Sequence, residues 1–331
     1  MLRRIDPMVQ LLIAAIVLAS VLPVSGNARA AAQFAANAAV FLLFLLNGLR
    51  LPRNEVLAGL GNHRLLWPLA GWVYGAMALA GWAVWQLGGA LMPPLLALGF
   101  VFLGTLPSTV QSATAYASLA GGNVASSVVA AALLNVLGVF ITAPLFSLLA
   151  GAGAAGFNSD ALVKVAAILL LPFVLGQMLQ RWLGDWVKGH RALVTGMDRS
   201  SIAIAVYVAF SGAVAQGIWT RVGPGAWAAL LACCAVLLAV GYGGAWGLGG
   251  VLKLPRGDRI VMLFAGGQKS IAMGAPLATV LFPPAAAGIV LLPVLVYHLA
   301  QLVVAAPLAA RLSAGQAGET SPTSEAAATS G

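Results

Sequence analysis

The chain has 331 residues, of which 61% are hydrophobic and only 8% charged, and its mean hydropathy is +0.98. Ordinary globular domains carry about 25% charged residues, so a soluble fold is excluded and the class is polytopic membrane protein. A net charge of +9 would suggest nucleic acid in a soluble protein. Here the basic residues sit in short connections between apolar stretches, where they set topology and form no nucleic-acid surface.

Apolar stretches of spanning length lie at 7–25, 31–49, 65–87, 93–119, 122–149, 160–181, 198–216, 225–250, 258–283 and 286–310. Each is near the ~20 residues that a membrane helix needs, so an all-α fold of ten spans is expected. With the N-terminus inside, thirteen Lys and Arg residues, among them Arg50, Arg64, Arg199, Lys253 and Arg311, fall on the cytoplasmic side; the outside receives Arg29 and Arg221, with Lys164 in the first turn of a helix starting there. That bias places both termini in the cytoplasm of a bacterial-type plasma (inner) membrane. Trp67, Trp182, Trp186, Trp219 and Trp227 fall near span ends, as an interfacial belt would.

The first span resembles a signal peptide, with Arg3-Arg4 before it and Ala28-Arg29-Ala30 after it. Its apolar run is longer than a signal core, and cleavage would leave an odd number of spans; it is read as a retained helix. Cys233 and Cys234 are adjacent in an apolar span and read as packing residues rather than a redox pair.

The fourth span is interrupted at Pro107-Ser108-Thr109-Val110-Gln111-Ser112, and the next helix begins at Gly121-Gly122-Asn123. Ser127 and Asn135 share one stripe of that helix, with Ala131 between them. Asn135 suits a solute contact or a simple interhelical hydrogen bond equally well. The ninth span carries FAGGQKSIAMG, with an expected break over Gly266-Gly267-Gln268-Lys269-Ser270. Counting about 1.5 Å per residue from Asp258 puts Lys269 roughly 16 Å deep, close to the middle of a ~30 Å hydrocarbon core. A charge there costs at least ~2.5–3.5 kcal/mol and by default marks a transport pathway. On the last span His298 and Gln301 are three apart on one face. Residues 313–331 are rich in Ser, Thr, Ala, Gly and Glu and read as a disordered tail.

Ten spans with both ends inside divide into two sets of five, and the second set must then be inverted. The organisation expected is a first repeat over 1–149, a second over 150–311 and a cytoplasmic tail over 312–331. Both fourth helices are interrupted at corresponding places, as in transporters whose discontinuous helices meet at the midplane. Ordinary proline or glycine kinks are the alternative; a lysine inside one break argues against them. Half-helix ends expose carbonyls and amides able to hold ions or polar solute groups. Gln111 and Ser112 would serve one break, Gln268 and Ser270 the other. Lys269 could neutralise carbonyl ends or bind an anionic solute.

All eight acidic residues (Asp6, Glu55, Asp160, Asp185, Asp198, Asp258, Glu319, Glu325) lie at span ends, in loops or in the tail. A sodium ion at mid-membrane would therefore rely on neutral oxygens. No metal-ligand cluster, nucleophile–base pair or mid-membrane carboxylate pair is visible, and an enzyme is not expected.

LPSTVQSATAYASLAGGN (106–123), LLPFVLGQMLQRW (170–182), FAGGQKSIAMGAPL (264–277) and LPVLVYHLAQ (292–301) occur in that order, with weaker similarity over nearly the whole length, including FLLFLLNGLRL (41–51). In these stretches the chain resembles the bile acid:sodium symporter superfamily, in the branch that contains the seventh human member of that solute-carrier group and bacterial homologues. The resemblance implies a panel domain and a core domain, crossed broken fourth and ninth helices in the core, and alternating access by movement of one against the other. It also implies sodium at Ser112, Ser127 and Gln268. A hydroxyl position is replaced by Ala131, an acidic position by Phe264, and an uncharged amide by Lys269. The expectation is thus a secondary active transporter of a small organic anion, with Gln111, Ser112, Asn123, Ser127, Asn135, Gln268, Lys269, Ser270, His298 and Gln301 around the site. Alternatives are a cation/proton exchanger with Lys269 cycling its proton, or a non-transporting regulator of ion handling. Lipid is the only other partner expected, and oligomeric state is illegible because lipid-facing and subunit-facing apolar surfaces look alike.

Overall fold

The computed structural model describes residues 7–24, 26, 28–50, 61–151, 166–215, 217, 220 and 222–319. Among them there is no strand. The helices are α1 (Pro7–Val21), α2 (Ala28–Arg50), α3 (His63–Gly88), α4 (Pro94–Thr105), α5 (Gln111–Leu119) and α6 (Val124–Ala150). They continue with α7 (Ala167–Gly189), α8 (Arg191–Val214), α9 (Pro224–Val251), α10 (Arg256–Gly267), α11 (Ile271–Leu281) and α12 (Pro284–Glu319). Among the described residues eight segments, counting α10 and α11 as one, are long and apolar enough to cross a membrane, with α1 and α4 shorter. This is a polytopic membrane protein, and each expected span coincides with a helix or a broken pair.

The boundaries follow from local chemistry, and two differ from expectation. Leu106 precedes Pro107 and takes an extended conformation, so α4 stops there, as steric clash with the proline ring requires. Helix resumes at Gln111, which places Gln111 and Ser112 in the first turn of α5 and outside the break. In the ninth span Gly266 and Gly267 are the last residues of α10, and the break is confined to Gln268–Ser270. The two glycines are packing positions: a Cβ on Gly266 would lie 2.8 Å from the Ala245 Cβ, and one on Gly267 would lie 2.7 Å from the Tyr242 ring. At the C-terminus α12 runs on to Glu319, so helix occupies the first part of the tail expected over 312–331. Residues 320–331 lie outside the described residues, as do Arg3, Arg4, Arg53, Lys164, Trp219 and Arg221.

Helices α1, α2, α7 and α8 pack together, α2 lying against α7 and α8 and α1 against α8. A second group holds α4, α5, α6, α10, α11 and α12, with α3 against α4 and α9 against α10. Its centre is apolar: Phe102, Phe146 and Phe282 meet edge to face with centroids 5.2–5.8 Å apart. Such pairs contribute about 0.5–1.5 kcal/mol each beyond area burial. The groups touch where α8 crosses α11 and α12. That crossing is very close, since a Cβ on Gly212 would sit 2.0 Å from the Pro284 carbonyl oxygen and one on Gly288 2.5 Å from that of Ala209.

Both α3 and α9 contain a π-helical turn, at Trp72–Ala76 and Val240–Gly244. A π turn inserts a residue into the helical ladder, redirects carbonyls and recurs at functional sites. Each of these turns lies beside one of the breaks.

Candidate functional site

The two breaks are joined through the backbone. The amide of Ser270 donates to the carbonyl of Pro107 at 2.9 Å. Ser270 also caps α11, its hydroxyl accepting from the Met273 amide (3.3 Å), and the Thr109 hydroxyl accepts from the Ala113 amide (3.2 Å) in the first turn of α5. Both second half-helices thus start from a hydroxyl cap that satisfies an otherwise orphaned amide.

The carbonyl ends of the first half-helices are met differently. At the end of α10, Tyr297 donates its hydroxyl to the Gly267 carbonyl at 2.7 Å. At the end of α4, Lys269 reaches across from the other break. Its Nζ donates to the carbonyls of Gly104 (2.7 Å), Leu106 (2.8 Å) and Val73 (2.9 Å), the last presented by the π turn of α3. The side chain is fully buried, and none of these partners is a carboxylate. Gln301 holds the Lys269 backbone from both sides: its Oε1 accepts from the Lys269 amide (2.7 Å) and its Nε2 donates to the Lys269 carbonyl (3.0 Å). The same Nε2 lies 2.9 Å from Nδ1 of His298, which faces it as an acceptor.

Gln268 points the other way. Its Oε1 lies within hydrogen-bond reach of the hydroxyls of Thr109 (2.5 Å) and Ser112 (2.6 Å), which are 2.8 Å from each other, so the single Ser112 proton is shared between Gln268 and Thr109. Two of the three oxygens expected around sodium, those of Ser112 and Gln268, therefore meet. The third, Ser127, is buried and bonded to the Thr114 hydroxyl (3.2 Å). Phe264, at the position expected to be acidic, is fully buried and stacks on Tyr116. As arranged, the neutral oxygens of Thr109, Ser112 and Gln268 are bonded to one another and Ser127 to Thr114, so they do not converge on a common centre for a sodium ion. These residues do not fit that ion.

Beside the crossing is a cavity of about 360 Å³, within the range of small-ligand sites. One wall comes from the crossing and the adjoining helices: Thr109, Gln111, Ser112, Asn135, Ser270 and His298. The opposite wall comes from α2, α7 and α8, with Leu43, Asn47, Phe173, Thr195 and Ile202. Arg50, Asp198 and Arg199 line the end where α2 finishes and α8 begins. Arg50 is engaged: it pairs with Asp198 and donates to the Val194 carbonyl (3.1 Å). Arg199 has no hydrogen-bond or ion-pair partner among the described residues.

Of the residues expected at the site, Gln111, Ser112, Asn135, Ser270 and His298 line this cavity. Asn135 also ties the first break to α6, its Nδ2 donating to the Ser108 carbonyl (3.1 Å) and to that of Ala131 (2.9 Å). Gln268, Lys269 and Gln301 lie behind the wall and hold the crossing together. Asn123 belongs elsewhere: it caps α6 and donates to Asp258 (2.9 Å), which also accepts from Asn62 (3.0 Å). Sequence reasoning missed Asn47, Thr109, Thr195 and the two arginines. In the sequence Arg50 and Arg199 read only as topology markers, and nothing in a single chain tells a loop-facing arginine from one turned into a cavity.

A sequence model of the SBF-like CPA transporter family matches residues 6–314. The chain is 40% identical over 305 residues to an uncharacterised protein of Pseudomonas aeruginosa, PA2026, covering 91% of this chain and 90% of the relative. It is 37% identical over 312 residues to YfeH of Escherichia coli, whose name carries a provisional symporter designation, covering 93% of each. It is 24% identical over 173 residues to mouse sodium/bile acid cotransporter 7, covering 52% of this chain and 51% of the relative.

Proposed function

The chain belongs to the SBF-like CPA transporter family, and from that premise we propose that it is a secondary active transporter carrying a small organic anion by alternating access. The solute sits in the cavity between the broken-helix crossing and the layer formed by α1, α2, α7 and α8. One observation carries the choice of an anion: among the described residues Arg199 is the cavity's unpaired charge, since Arg50 and Asp198 engage each other. A guanidinium in a partly desolvated cleft favours carboxylate, sulfonate or phosphate groups and binds them in a forked geometry. The apolar side chains of Leu43, Val136, Val139, Phe173 and Ile202 would receive the body of the solute.

Two inverted five-helix halves, 1–149 and 150–311, account for the paired irregularities. Each half has a π turn in its third helix and an interruption in its fourth. The group of α1, α2, α7 and α8 then corresponds to a panel and the crossing group to a core. With both termini cytoplasmic, the end carrying Arg50 and Arg199 faces the cytoplasm. The α8–α12 contact at Gly212 and Gly288 closes the opposite side, which makes this an inward-open arrangement. A solute touching both groups is released on the other side when they slide past one another. In this reading Lys269 fastens the crossing and does not touch the solute.

The test is a thermal-shift screen of organic anions on the purified protein, followed by uptake of the hits into proteoliposomes. Saturable uptake of a stabilising anion, lost on imposing no gradient, is expected. Electroneutral cation–proton exchange with no anion stabilising the protein would instead select the exchanger.

A further inference from the structure

An ammonium group has three N–H donors, and at Lys269 it meets three carbonyl oxygens at 2.7–2.9 Å. The three come from two helices, Val73 in the π turn of α3 and Gly104 and Leu106 at the end of α4. A neutral amine has two N–H groups and would leave one of these buried oxygens without a donor. In potassium-channel filters, rings of main-chain carbonyls with no carboxylate hold dehydrated monovalent cations. Holding the backbone of Lys269 at both its amide and its carbonyl, Gln301 fixes the stem of the side chain so that the amine is delivered to that one place.

We propose that the carbonyls of Val73, Gly104 and Leu106 form a monovalent-cation site whose permanent occupant is the chain's own Lys269 ammonium. The tethered ion takes the part of a dissociable one. It neutralises the carbonyl end of α4 where the two breaks meet. Removing the amine leaves a ring of carbonyls sized for ammonium or potassium. The crossing would then acquire a dependence on an external cation that the natural protein lacks. The inference concerns what holds the crossing together and stands apart from the transport reading; its readouts involve no flux.

The experiment compares the full-length protein with Lys269→Ala in detergent, in chloride salts of choline, sodium, potassium, ammonium and methylammonium. In choline the variant should melt about 5–10 °C below the natural protein, for loss of a few kcal/mol at a few degrees each. Ammonium, methylammonium or potassium should recover at least half of that difference, while the natural protein melts alike in all five. A variant that melts alike in choline and in every small cation overturns the proposal. A second measurement needs no variant: reductive methylation of the natural protein with formaldehyde, read by mass spectrometry. Lys188 and Lys253 should be modified and Lys269 spared, with and without sodium. Modification of Lys269 at the rate of Lys253 would show that the amine leaves its ring, and would overturn the proposal even if Lys269→Ala cannot be purified.

Discussion

The amide of Ser270 and the carbonyl of Pro107 are hydrogen-bonded at 2.9 Å, so the two interrupted helices are fastened to each other through the main chain at their breaks. Side chains then divide the remaining tasks. Lys269, Gln301 and Tyr297 face away from the cavity and satisfy freed backbone groups, whereas Ser112, Asn135 and His298 face into it.

Gln301→Leu removes both bonds to the Lys269 backbone and leaves a buried amide and carbonyl without partners. Each such group costs about 1–3 kcal/mol. At roughly 2–4 °C per kcal/mol, a melting drop of about 4–24 °C is expected. Uptake should fall with it. Gln301→Glu keeps the acceptor but loses the donor, and should lie between the two. Melting of Gln301→Leu at the natural temperature would show that the bracket carries no weight.

Arg199→Ala should raise KM for the transported anion by about 10- to 100-fold, the worth of one hydrogen bond to a charged group. The melting temperature should stay within a degree, because the guanidinium has no protein partner to lose. Arg199→Lys keeps the charge without the fork and should recover only part of the affinity. Uptake kinetics in proteoliposomes decide this.

Gly288→Leu pushes a side chain into the Ala209 carbonyl and holds α8 away from α12. The side of the molecule opposite Arg50 should then open. A reporter at Ala213→Cys, buried at that contact, checks it in a Cys233→Ser, Cys234→Ser background. Maleimide labelling should be slow in the parent and at least ten times faster with Gly288→Leu, and transport should be lost. Equal labelling rates would mean that this crossing does not seal that side.

Asp258→Ala should cost about 2–3 kcal/mol, because Asn62 and Asn123 both donate to this buried carboxylate and both lose an acceptor. The pair joins the starts of α3, α6 and α10. Asp258→Asn retains one acceptor and should cost less than half as much. Thermal denaturation of the three proteins orders them, and transport affinity should not change, since Asp258 is remote from the cavity.

Much of the architecture was legible because membrane spans announce themselves by length. The apolar runs, the proline at 107 and the glutamine–lysine–serine run at 268–270 mark both interruptions. Their limits were less so: Gly266 and Gly267 look like helix breakers but serve as close-packing surface, a distinction that depends on Trp72 and Tyr242 arriving from other helices. The polar cluster was found as a set, since each member stands out in an apolar segment. How it divides was illegible. Whether Lys269 turns toward a cavity or toward carbonyls is decided by the π turn of α3, and no residue pattern in Trp72–Ala76 advertises that turn. Arg199 was passed over for the opposite reason, as one arginine among many at helix ends.

The π turn of α3 also constrains how this chain can change over time. Deleting any one residue from Trp72–Ala76 would remove the extra residue and restore an ordinary helix, with the segment beyond it kept close to its present facing. Gly81 would keep its place against the Phe100 carbonyl, but Val73 would no longer turn its oxygen toward Lys269. A one-codon loss in this segment therefore removes a main-chain contact that a substitution at the same count would leave in place. The count of residues there is a heritable property in its own right.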